Sequence, residues 1–178
     1  TKDSGTIFSQ QITLGTFAGN MTNYSGLIYS QNSNVTSVNA ISNYSVIIGG
    51  NSCDIDSGKV CGIFSSAGSQ IKAYTGVGAI KCINSAILGG NTNIIDPTGL
   101  ANIQQCVIIG GVSNNLTGGT GNATNSAIIS STNSDITPAG AGNRIVLIGV
   151  DSVSGTRNAT TYIDSLKTEG ARIKKVHN

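Results

Sequence analysis

Few residues in this chain have the type and spacing to do chemistry. Asp54 and Asp56 stand two apart, which puts two carboxylates on one face of a strand, and a carboxylate pair is the machinery of glycoside hydrolysis. Two solvated corner residues are the plainer reading, and it is the one adopted. Cys53, Cys61, Cys82 and Cys106 could make two disulfides. A metal is disfavoured because no C-x-x-C spacing occurs and the single histidine, His177, lies at the far end of the chain. The same histidine leaves no Ser, His and Asp set to propose. "TGGTGNAT" at 117–124 has neither the glycine spacing nor the strand-to-helix context of a phosphate loop. The remaining candidate is the connection "KAYTGVGAIKC", where Lys72, Tyr74, Thr75 and Lys81 combine an aromatic ring, a hydroxyl and two cations suited to a receptor or glycan. A bulge packed on a neighbouring subunit is the competing reading. No catalytic residue, metal or cofactor is expected, and the chain is not read as an enzyme.

Composition narrows the elements that could position such groups. The 178 residues include 24 Gly, 2 Pro and no Trp, with 10% charged and 38% hydrophobic side chains. That excludes a solvated disordered chain and a charge-rich helical bundle. A formal charge of +2 without basic runs gives no argument for nucleic acid, and no apolar stretch reaches the roughly 18 residues of a membrane span.

Alignment on adjacent apolar pairs exposes a repeat. With the first member as position zero, six rows begin at Leu27, Ile47, Ile63, Ile87, Ile108 and Ile128. Position +8 is aliphatic in all six: Val35, Ile55, Ile71, Ile95, Leu116 and Ile136. Position −2 is a column of small residues, Ser25, Ser45, Cys61, Ser85, Cys106 and Ser126. Cys61 and Cys106 thus replace serines, as Cys53 does at +6, which favours small buried thiols over disulfides. Tyr24 and Tyr44 share position −3 and are expected to stack. Steps between rows are 20, 16, 24, 21 and 20 residues, so the register is strict while the connections vary. Fixed short strands on variable corners specify an all-β fold, a β-solenoid (β-roll or β-helix) of about six to eight irregular rows.

Alternation along a strand puts −2, 0 and +2 on one face and −1 and +1 on the other. The second face carries Ile28, Ile48, Phe64, Leu88, Ile109 and Ile129, so both faces are apolar. One can fill the interior of the coil. The other needs a partner, and nothing else in the chain is apolar enough to serve. Several copies are therefore expected to pack these residues around a shared axis as a homotrimer.

Rows such as "SVIIGGNS", "SAILGGNT" and "CVIIGGVS" resemble the repeats of trimeric β-solenoid heads in viral and phage fibre proteins, and more loosely the heads of trimeric autotransporter adhesins. The resemblance covers about residues 24–150. It implies a homotrimeric head or tip at the virion surface, or alternatively a bacterial cell surface, that attaches to a host glycan or protein. A plain fibre spacer and a polysaccharide depolymerase on the same scaffold are the alternatives. Residues 1–23 read as an N-terminal cap or shaft junction, and 24–150 as the solenoid. Charge rises after about residue 143, and 151–178, including "TTYIDSLKTEGARIKKVHN", resembles the segment of phage fibres that leads into a further domain. In "RIVLIGVDSV" position +8 falls on Gly155, which marks a capping row.

Overall fold

The computed structural model describes residues 5–7, 13–16, 22–23, 26–37, 42–43, 45–56, 60–72, 82–96, 103–117, 122–138, 142–157 and 159–163. Among them every regular element is a short strand, and every strand pairing is parallel. The strands stack into a β-solenoid with three walls.

The first wall has nine strands: Gly5–Ile7, Gly26–Ile28, Val46–Ile48, Gly62–Phe64, Ala86–Leu88, Val107–Ile109, Ala127–Ile129, Val146–Ile148 and Thr161–Ile163. Each position-zero residue pairs with the next, Leu27 with Ile47, Ile47 with Ile63, Ile63 with Ile87, and onward to Leu147 and Tyr162. The second wall has eight strands, from Thr13–Thr16 to Ser154–Gly155, and aligns the +8 residues Val35, Ile55, Ile71, Ile95, Leu116 and Ile136 in the same way. The third wall is described in two parts. Two strands, Thr22–Asn23 and Ser42–Asn43, form one part, and four, from Cys82–Ile83 to Gly142–Asn143, form the other.

The interior is made of these columns. Positions zero and +8 are fully buried from Leu27 and Val35 through Ile128 and Ile136. Burying an aliphatic side chain contributes about 1.5–3 kcal/mol, and here each row places two between the walls. Small polar residues fill the corners, Ser45, Ser85 and Ser126 at −2 and Ser33, Ser69 and Ser134 at +6. All four cysteines are buried and free, Cys53, Cys61 and Cys106 in their serine columns and Cys82 in the third wall.

Position +2 departs from simple alternation. Tyr29, Ser65, Ser130, Gly49, Gly89, Gly110 and Gly149 all have φ between 48° and 73°. A left-handed residue there ends the strand and turns the chain, so +2 lies on a corner and +3 points inward instead, as Ser30, Ser66, Ser131 and Val150 do. Further left-handed corners recur at −3, in Asn84, Gln105, Asn125 and Arg144, and at +5, in Asn32, Ser52, Thr92 and Asn133.

Pairing in the same register runs beyond residues 24–150. Thr6 pairs with Leu27 and Leu14 with Val35, so the segment read as a cap or junction contributes a row whose position zero is threonine. The strand Thr161–Ile163 pairs with Val146–Ile148. In the capping row, a Cβ on Gly155 would lie 2.9 Å from Ile145 Cγ2 and 3.1 Å from Leu147 Cδ2. Ile145 stands where other rows have Ser or Cys at −2, so the volume missing at +8 is supplied from across the core.

Candidate assembly interface

The first wall presents its second face outward along its whole length. Ile28, Ile48, Phe64, Leu88, Ile109 and Ile129 form one in-register column through consecutive parallel pairs. Within the single chain Ile28, Ile48, Phe64 and Ile129 are half-buried, while Leu88 and Ile109 are 39% and 38% exposed. Burial of both faces, expected from the sequence, is thus not achieved by the chain alone. Among the described residues no other element covers this column. It extends further than the six rows suggest, through Ile148 and Ile163, at 36% and 43% exposure. The pairing of Ile148 with the position after Ile128 was available in "RIVLIG", where Leu147 and Ile148 repeat the doublet.

Beside this column runs −1, occupied by Gly26, Val46, Gly62, Ala86, Val107, Ala127 and Val146. At Gly62 a Cβ would lie 2.6 Å from Phe64 Cε2, so the phenyl ring folds back across the glycine. The surface is also notched there. The row starting at Ile63 follows its predecessor by only 16 residues. A cavity of about 330 Å³ opens here, lined by Val46, Val60, Gly62, Phe64 and Ala86 with Cys61, Asn84 and Ser85.

The opposite, second wall is polar outside. Asn34 Nδ2 donates to Asp54 Oδ1 at 2.8 Å and Gln70 Nε2 to Asp54 Oδ2 at 3.4 Å, a ladder of amides on a carboxylate across three rows. Asp54 is therefore a strand residue engaged with its neighbours and not a solvated corner; Asp56 shares its strand, Asp54–Asp56. Lys72 Nζ lies 3.5 Å from Asp96 Oδ2, half-buried on this same wall. Of the four residues suggested for a receptor, Lys72 is thus committed to an ion pair, whereas Tyr74, Thr75 and Lys81 lie outside the described residues, as do Tyr24 and Tyr44. Among the described residues no group of three or more His, Cys, Asp or Glu could hold a metal ion. No helix there is long and apolar enough to cross a membrane.

One wall offers a flat aliphatic column with small residues beside it, and the other an amide and carboxylate grid. No protein-family model, curated protein or solved structure matches the chain.

Proposed function

We propose that this chain is a non-enzymatic attachment module that associates with copies of itself through the outer column of the first wall, as the trimeric head or tip of a viral fibre contacting a host glycan or protein. The observation carrying the assembly is the unbroken outward column from Ile28 to Ile148, aliphatic or aromatic in every row. A solvent-facing antiparallel or parallel sheet surface would alternate to polar residues there, as the second wall does. Nine strands spaced about 4.8 Å apart make a stripe about 38 Å long, and three residues of width make it about 10 Å across. The resulting ~400 Å² is near half of what one partner contributes to a standard interface, about 800 Å². A stripe this narrow favours a shared axis, around which each copy touches two others along its flanks. Attachment rests on the resemblance of the "SVIIGGNS" and "SAILGGNT" rows to fibre heads.

The test is the subunit count by light scattering. The chain is expected to be a trimer, and Leu88→Asp with Ile109→Asp a monomer with unchanged β circular dichroism, because both side chains leave the interior untouched. A wild-type monomer overturns the assembly. Binding of the trimer to host cells, lost when residues 72–81 are replaced by a Gly-Ser link, tests attachment separately; a trimer that binds no cell favours the spacer.

A further inference from the structure

Two buried thiols meet between adjacent rows. Cys61, at −2 of the row starting at Ile63, and Cys82, in the strand Cys82–Ile83, lie with their sulfurs 3.7 Å apart, each 2% exposed or less. The other two cysteines point elsewhere: Cys53 Sγ donates to Ser66 O at 3.2 Å, and Cys106 Sγ to Gln104 O at 3.2 Å and Ala123 O at 3.5 Å. A disulfide has its sulfurs about 2.05 Å apart, so closing this pair needs an approach of about 1.7 Å.

We infer that Cys61 and Cys82 are a cross-linking site, joined as a disulfide when the chain folds in the presence of a small-molecule disulfide such as oxidised glutathione. Cys61 borders the 330 Å³ cavity, and at 2% exposure its sulfur meets glutathione before the rows close over it. Its thiolate attacks one glutathione sulfur, the glutathione S–S bond breaks, and one glutathione thiolate leaves. The Cys82 thiolate then attacks the Cys61 sulfur and expels the second glutathione. Two electrons pass from the cysteines to the glutathione disulfide, and the two thiol protons end on the two glutathione thiols. Contact with Cys61, then burial, holds the Cys82 thiol well above its ordinary 9.0, so the second step is slow in the closed fold and fast while the rows are still assembling. The bond would tie the row starting at Ile63 to the next across the longest connection, residues 73–81, and constrain the unfolded chain.

The experiment refolds the full chain in oxidised and reduced glutathione, alkylates the remaining thiols and maps tryptic peptides. Cleavage after Lys59, Lys72, Lys81 and Arg144 separates Cys61, in 60–72, from Cys82 and Cys106, in 82–144. Two of the four thiols should disappear, with 60–72 linked to 82–144. The link should persist in Cys106→Ser, vanish in Cys82→Ser, and raise the melting temperature of the oxidised chain over the reduced one. Four alkylated thiols, or a link through Cys53 or Cys106, overturns the assignment.

Discussion

Val60 carries a β-branched apolar side chain at φ 56°, in a corner column that other rows fill with Asn84, Gln105, Asn125 and Arg144. A left-handed conformation costs such a residue about 1–2 kcal/mol, and asparagine far less. Val60→Asn should therefore raise the melting temperature by a few degrees in a calorimetric scan, since a 46% exposed valine loses little burial. A second single-residue prediction concerns Asp135. Burial raises its carboxyl above the ordinary 3.8, and its in-register neighbour Asn115 has a buried Oδ1 without a hydrogen-bond partner. The folded state then binds the proton more tightly than the unfolded chain. Stability is full below the unfolded value and falls as pH rises through the folded one. Asp135→Asn removes the charge and offers an amide donor beside Asn115. Urea midpoints should show the variant more stable than the wild type at pH 7 and the difference gone below about pH 3. Neither effect could be read from residue type alone, because strain at Val60 and burial at Asp135 depend on the rows above and below.

At the level of the element, most rows are tied to the next by a polar rung in the interior. Ser33 Oγ accepts the backbone N–H of Cys53, Ser69 Oγ that of Asn93, Asn93 Oδ1 that of Asn114, Asn114 Oδ1 that of Ser134, and Ser134 Oγ that of Val153. Asparagine at +6 occurs where +3 is glycine. A Cβ on Gly111 would run into Ser131 O and lie 2.5 Å from Asn114 Nδ2, and Gly90 faces Asn93 in the same way, whereas rows with Ser66 or Ser131 at +3 carry only serine at +6. Asn114→Ala would orphan the Ser134 N–H, while the Ser131 carbonyl that Asn114 Nδ2 reaches at 2.6 Å keeps the Val112 N–H. At about 1–3 kcal/mol for a buried group left unpaired, chemical denaturation should register a loss of that size. Serine at 114 would keep part of this. The register that aligns these rungs was legible in the sequence because a one-residue slip would expose every position-zero aliphatic. The corner at +2 was not, since alternation carries no sign of a left-handed residue when serine and tyrosine occupy it as well as glycine. The row at Thr6 was hidden for a similar reason: a threonine at position zero breaks the apolar doublet by which rows are recognised, while Leu14 at +8 keeps the pattern.

For the whole molecule, the sequence revealed two apolar faces but not which residues the chain could cover by itself. That division came from the walls: position zero is sealed inside, and Leu88 and Ile109 are left exposed. The candidate receptor corner was legible only as composition, because a connection free to vary in length carries no periodic signal. Steps of 16 and 24 residues nevertheless return the chain to the same columns. Excision of residues 87–107 would join Ala86 directly to Ile108, a −1 residue to a position zero. The shortened chain should keep its β circular dichroism and unfold cooperatively, at a somewhat lower temperature for want of one row. Aggregation or loss of the β signal would show that the rows are not interchangeable. A protein ordered in this way has a quantised reach: adding or removing one rung moves its far end by about 4.8 Å while every wall keeps its cross-section.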